Sequence, residues 1–220
     1  MNRMMIDLFA GLGGGSTAFL SNDWPNYQVE RNVDLLDHNK GINIVADVDE
    51  HRDLIIKHFK QRMDWFVKNG GLSTVVLWAS PPCYEFSTAY SAPGPTARRQ
   101  GIDFMPDMTL LMATMQIIEE LEIHAEQLGA RFVWVVENVR GAIKHFKPEI
   151  GKPRAIVGPF VMWGNFPRLA FMDRAVFKHT KAKADKRWSK IRSNVRAKVP
   201  AEISQAIYDS AVRQQRLELN

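Results

Sequence analysis

Along this chain, short and almost wholly apolar runs alternate with longer stretches in which apolar residues recur every three or four positions. Uninterrupted apolar runs are the pattern of strands covered on both faces, and the 3–4 spacing is that of helices with one buried side. Strands are predicted over residues 4–9, 27–35, 42–45, 75–79 and 131–136, and helices over 16–21, 49–68 and 107–127. Strands separated by helices imply parallel βαβ units, so the expected fold is α/β: a doubly wound, mostly parallel sheet with helices on both faces. Residues 151–167, rich in Gly and Pro around Trp163, read as an irregular but ordered loop. A basic stretch follows over 179–198, and Pro200 introduces a final helix over 201–217, where its missing N–H costs nothing. The expected organisation is a main body over 1–150, a loop and basic segment over 151–198, and a helix within 199–220 that packs back on the body.

Composition narrows the class. With 45% hydrophobic and 24% charged residues the chain is that of an ordinary globular protein. No apolar run approaches the ~20 residues that cross a bilayer, and the N-terminus enters a strand without a cleavable signal pattern, so a cytoplasmic monomer with no membrane partner is expected. One cysteine excludes an intramolecular disulfide and a multi-cysteine zinc site, and no metal site is read from the sequence. Cys83 is either a core thiol or a reactive one. Charge is unevenly spread: residues 151–220 carry 15 Lys and Arg against 5 Asp and Glu, whereas residues 1–150 carry 14 against 19. Such a segment is either a phosphate-binding appendage or a solvated tail.

Residues 7–16, Asp-Leu-Phe-Ala-Gly-Leu-Gly-Gly-Gly-Ser, follow the first predicted strand and open the first helix, where doubly wound sheets bind nucleotides. Asp34, at the end of the second predicted strand, is placed to accept hydrogen bonds from ribose hydroxyls, and Asp47, ending the third, from an adenine amino group. No Lys-Ser/Thr pair follows the glycines, so the phosphate-loop pattern fails. Asp7 would repel a pyrophosphate but suits a cationic amino acid or sulfonium, which favours S-adenosylmethionine over NAD. Further on, Trp78-Ala79-Ser80-Pro81-Pro82-Cys83 is a strand running into a prolyl turn that presents the thiol at the sheet edge. Glu137 closes another apolar strand, either as a functional acid or as a capping or salt-bridging residue, since burying it unpaired is costly.

Taken in order, Asp7-Leu8-Phe9-Ala10-Gly11, Pro82-Cys83 with Phe86-Ser87, and Glu137-Asn138-Val139 resemble three motifs of the cytosine-C5 DNA methyltransferases. Ser80-Pro81-Pro82-Cys83 and Trp163-Gly164-Asn165-Phe166-Pro167 look most similar to short bacteriophage or prophage members, and the likeness runs from Asp7 to about Ile207. It implies a fold of the class I S-adenosylmethionine-dependent methyltransferase type, S-adenosylmethionine as cofactor with S-adenosylhomocysteine as product, and duplex DNA with a flipped cytosine as partner. In that scheme the Cys83 thiolate attacks cytosine C6, Glu137 hydrogen-bonds the N3 and N4 edge, and the enriched C5 takes the sulfonium methyl. Cofactor contacts are implied for Asp7, Leu8, Phe9, Gly11, Gly13 and Gly14, for Asp34 with Leu35, Asp47 with Val48, and Pro81. Contacts with DNA are implied for Ser80, Pro82, Phe86, Ser87 and Asn138, and for Arg98, Arg99, Lys186 and Arg187.

The likeness departs at three places. The family's Gln-x-Arg-x-Arg run is missing, and Arg154 of Lys152-Pro153-Arg154 is the nearest candidate for the arginine that holds base and acid. Arg196-Ala197-Lys198-Val199-Pro200 stands where relatives carry Gly-Asn-Ser-Val-Pro. Only residues 151–198 remain for target recognition, so binding through phosphates with relaxed sequence preference is expected, with Tyr84 and Tyr90 as candidates to cover the base. Two other functions fit parts of the pattern: an amino-group methyltransferase acting on cytosine N4 or adenine N6, and a catalytically silent DNA-binding protein of the same fold. RNA or a free nucleotide are further substrates open at this point.

Overall fold

The computed structural model describes residues 2–169 and 192–218. Seven strands form one sheet: β1 (Asn2–Leu8), β2 (Asn26–Glu30), β3 (Ile42–Val45), β4 (Leu72–Ala79), β5 (Arg131–Val139), β6 (Ala155–Val157) and β7 (Phe160–Gly164). Their order is β3-β2-β1-β4-β5-β7-β6. The first five are parallel, and β7 runs antiparallel to both β5 and β6. The α/β, mostly parallel architecture expected from the pattern is therefore present, with helices on both faces.

Helix periodicity decides which side each helix covers. On one face lie α2 (Arg52–Lys68), α4 (Thr109–Gln127) and α5 (Ile143–Ile150), which bury Phe59 and Met63, Ile117 and Leu121, and Phe146 against Ile6, Leu8, Val75 and Leu77. The other face is covered by α1 (Thr17–Leu20) and α7 (Ala201–Glu218), where Ile203, Ile207 and Ala211, four residues apart, meet Phe19, Met5, Val76 and Trp78. Each such fully buried large side chain contributes about 1.5–3 kcal/mol, so α7 is part of the core. Two shorter helices, α3 (Pro93–Arg99) and α6 (Arg192–Ala197), complete the set. No helix among the described residues is long and apolar enough to cross a membrane.

Three expectations are corrected. Residues 151–167 are not a loop: β6 and β7 form a hairpin turning at Gly158 and Pro159, and β7 pairs with β5 over five positions. The alternation of Val157, Phe160 and Met162 on one side with Trp163 on the other is a strand signal that the surrounding glycines and prolines mask. The main body therefore does not stop at residue 150. Second, β2 ends at Glu30, and the apolar residues beyond it belong to a 3-10 turn over Val33–His38, capped by the Asn32 side chain accepting from the Asp34 N–H. Third, β5 continues to Val139, so Glu137 lies inside a strand opposite Met162 rather than at its end.

Candidate functional site

Register defines the site. Val29, Leu8, Ala79 and Val136 form the last row shared by β2, β1, β4 and β5. One residue further along each strand stand Glu30, Phe9, Ser80 and Glu137, at the carboxyl edge of the sheet. Between β1 and β4 the order reverses, since β1 leads back to β2 and β4 leads on to β5. That switch point opens the crevice in which such sheets hold ligands. The glycine turn leaves one side of it and the Cys83 loop the other.

The turn bends sharply: Phe9, Gly11 and Gly13 have φ of 58°, 55° and 67°, a region glycine enters freely and Phe9 only under constraint. Gly13 N–H donates to Ala10 C=O at 2.7 Å. Asp7 lies beneath the turn, 1% exposed, and accepts from Ser16 Oγ at 2.6 Å. Burial pushes its pKa up to about 7, against the opposing Ser16 hydrogen bonds, with Glu30 adding to the rise. Asp7 is thus an internal brace of the turn rather than a carboxylate facing a cation. Gly14 serves packing as well, because a Cβ there would lie 2.6 Å from Val199 N and 2.8 Å from Val199 O. Ser204 of α7 completes the brace, donating to Gly15 C=O at 2.7 Å and accepting from Ala18 N–H at 3.0 Å.

The acid at the end of β2 is Glu30, which the sequence reading missed. Its Oε2 accepts from Gly11 N–H at 2.9 Å and its Oε1 from Asn32 N–H at 2.8 Å. The signal was the polar break Glu30-Arg31-Asn32, overlooked because Val33, Leu35 and Leu36 prolong the apolar run. Asp34, expected in this role, is exposed in the 3-10 turn, while Leu35 is sealed in the core at 1% exposed. Asp47 does follow β3, with Oδ2 paired to Arg31 at 3.0 Å and Oδ1 accepting from Asp49 and Glu50 N–H. Burial, the largest influence on it, pushes its pKa up, yet these hydrogen bonds hold it below the ordinary value. Val48 is buried in the core, as is Leu8. From the C-terminal segment Asn194 comes close to Gly11, its Nδ2 lying 3.9 Å from where a Cβ would stand.

Across the crevice, the β4 loop is held at three points by the end of β5 and the segment that follows it. Asn138 Nδ2 donates to Pro81 C=O at 3.0 Å, Gly141 has no side chain to obstruct the Phe86 carbonyl, and the Phe86 ring packs edge-on against Phe146 at 5.0 Å. These anchors set the loop that carries Cys83: the thiol is half-buried, and its pKa is raised by burial and then by the charge of Glu137. Glu137 is 7% exposed, and burial pushes its pKa up to about 7 against a hydrogen bond with Ser80. Phe86 and Asn138, expected to face DNA, are anchors of the loop instead. Ser80 is turned to Glu137 and Trp78, accepting from the indole N–H at 2.9 Å. Pro81 is buried and Pro82 exposed, and Ser87 Oγ accepts from Ala89 N–H.

Beyond Cys83, Tyr84 and Tyr90 are exposed, and Arg99 stacks 3.7 Å above the Tyr90 ring, with Arg98 exposed beside it. Arg154 does not reach the acid: its Nε donates to Phe166 C=O at 3.0 Å, and the groups that shift Glu137 are burial and Ser80. Lys186 and Arg187 lie outside the described residues. A groove of about 650 Å³ between α2 and α4 lies away from the crevice and is lined by charges of both signs, with Lys60 paired to Glu120. No model of a known protein family matches this chain, and neither a curated protein nor a solved structure matches it.

Proposed function

We propose that the protein is an S-adenosylmethionine-dependent DNA methyltransferase of the class I type that modifies C5 of cytosine through a covalent Cys83 adduct. The observation that carries this reading is that the chain's single thiol, on the loop after β4, and the buried carboxyl of Glu137, on neighbouring β5, stand at the same carboxyl edge of the sheet, across the crevice from a glycine turn. The antiparallel β7 between β5 and β6 separates the sheet from the all-parallel dinucleotide order and is compatible with this type.

The chain's own residues fit the cofactor. Each Glu30 oxygen has accepted one N–H and keeps a second acceptor position for ribose hydroxyls. Beside Gly13 the buried side-chain amide of Asn39 has no hydrogen-bond partner among the described residues. Asp47 and the backbone of residues 9–13 would complete the holding set.

Glu137 repels the Cys83 thiolate, so a thiolate forms most readily when Glu137 takes up a proton. Neutral Glu137 is then the donor that cytosine N3 needs. Sγ bonds to C6, the C5=C6 electron pair moves into the ring, and Glu137 passes its proton to N3. S-adenosylmethionine, when bound, supplies the electrophilic methyl group that C5 accepts. Transfer of the C5 proton to a water molecule then returns an electron pair that expels the Cys83 thiolate, while N3 gives its proton back to Glu137. Tyr84, Tyr90, Arg98 and Arg99 supply exposed aromatic and cationic surface for the strand that carries the base.

The test uses duplex DNA of mixed sequence containing 5-fluorocytosine, whose C5 fluorine cannot leave as a cation. With S-adenosylmethionine, a denaturation-resistant protein–DNA adduct is expected for the native chain and none for Cys83→Ala. Absence of an adduct with the native chain would overturn the covalent scheme.

A further inference from the structure

We infer that Trp78 and Ser80 are positioning residues for Glu137, the indole N–H fixing the Ser80 hydroxyl so that its hydrogen points at the carboxyl, and that Gly15 of the glycine turn is coupled to the acid through the same indole. The inference deepens the reading above, since it takes Glu137 as the active acid.

The donor direction follows from chemistry. An indole N–H only donates, and a hydroxyl has one hydrogen to give. Trp78 Nε1 donates to Ser80 Oγ at 2.9 Å, which leaves the Ser80 hydrogen for the neighbouring Glu137 carboxyl. Alternation along the chain puts all three on one face: Trp78 is in β4 and Ser80, two residues on, directly follows its end, and Glu137 stands beside Ser80 one residue past the pair Ala79–Val136. The indole is fully buried among Phe19, Val135 and Ile203, so it cannot swing away. A neutral Glu137 would donate to a free serine hydroxyl. By giving its hydrogen to the carboxyl Ser80 favours the ionised acid instead, and the indole N–H on one of the Oγ lone pairs reinforces that direction.

The link to the turn is steric. A Cβ on Gly15 would lie 2.6 to 2.7 Å from Cδ1, Cγ and Nε1 of Trp78, so the turn rests directly on the ring that aligns Ser80. Any shift of the Gly15 backbone towards the sheet must move the indole and its N–H.

Titratable and charged groups on the neighbouring elements are Cys83 from the β4 loop, Asp7 opposite Trp78 on β1, His145 behind Phe86 on α5, and Arg154 on the hairpin, directed at Phe166. Cys83 is the only thiol in the chain and senses the charge on Glu137, so its reaction with iodoacetamide reports that charge without cofactor or DNA. In the native chain, the rate plotted against pH should show an inflection near 7 that disappears in Glu137→Gln, which separates it from Asp7 and His145. Ser80→Ala removes one oxygen and should move the inflection up by about one pH unit. Trp78→Phe keeps a buried ring and should produce the same shift, with no further change in the double variant. Gly15→Ala should move it in the same direction.

An inflection that stays in place in Trp78→Phe would overturn the relay, as would additive shifts in the double variant. An unmoved inflection in a folded Gly15→Ala would overturn the coupling to the turn. Near-ultraviolet dichroism checks that each variant is folded, and Ser80→Ala decides Glu137 positioning even where a bulkier change disturbs packing. Because alkylation needs no methyl donor, a failed fluorocytosine trap with a shifting inflection would sink the proposed reaction and leave the relay standing.

Discussion

Replacing Glu137 by Gln should stabilise the protein, with a gain that emerges only as pH rises. Glu137 is 7% exposed on β5, and burial lifts its pKa from 4.5 to about 7. Above pH 4.5 the unfolded chain gives up this proton while the folded chain keeps it. The folded state then binds more protons, and stability falls with rising pH until about pH 7, where the folded-state carboxyl also ionises and the slope levels. At about 1.4 kcal/mol per pH unit, this displacement corresponds to roughly 3 kcal/mol as an upper bound. Gln has the same shape and no charge to desolvate, and its oxygen can still accept from Ser80. Its NH₂ group needs an acceptor, however, which takes back about 1–2 kcal/mol of the gain. The expected difference is therefore about 1–2 kcal/mol in favour of the variant at pH 8 and about 1–2 kcal/mol against it at pH 4. Urea unfolding followed by tryptophan fluorescence, in steps from pH 4 to 8.5, gives both curves. Asp7 adds its own dependence over the same interval in both proteins, so the difference between the curves is what counts. Parallel curves, or a variant less stable at pH 8, would refute the attribution to a buried acid.

Two further substitutions address the turn. Gly14→Ala drives a Cβ into the Val199 backbone at 2.6 Å and should cost about 1–3 kcal/mol in urea unfolding; an unchanged midpoint would show that the C-terminal segment is not seated there. Glu30→Gln leaves one acceptor oxygen for the N–H groups of Gly11 and Asn32, and the Kd for S-adenosylhomocysteine measured by calorimetry should rise about tenfold. Unaltered affinity would remove Glu30 from the cofactor site.

The parallel half of the sheet was readable because parallel strands are covered on both faces and leave uninterrupted apolar runs, as in Met4 to Ile6 and Val75 to Ala79. The hairpin was not, because Gly158, Pro159 and Gly164 break its runs and its pairing partner β5 lies some 25 residues away in sequence. Cys83 and Glu137 could be singled out because a thiol after a prolyl turn and an acid in an apolar strand are chemically conspicuous. What residue types do not encode is the direction of a side chain. Ser80, Phe86 and Asn138 sit inside the expected motifs, yet they brace the loop and the acid, and only the register of β4 with β5 reveals it. Glu30 displaced Asp34 for a related reason: where a strand stops depends on the Asn32 cap, a local hydrogen bond that an apolar count overlooks.

Ser204 grips residues 15 and 18 across separations of 189 and 186 positions. During synthesis the glycine segment leaves the ribosome long before its clasp exists, and a closure over so long a separation is among the slower events of folding. Until α7 docks, neither the Gly15 carbonyl nor the Ala18 amide has that partner. A molecule that recognises the finished turn thus recognises a chain on which α7 has docked, and by mass action its binding holds α7 down. Protease resistance of α7 should accordingly rise and fall with occupancy of a crevice formed by residues far from it in sequence.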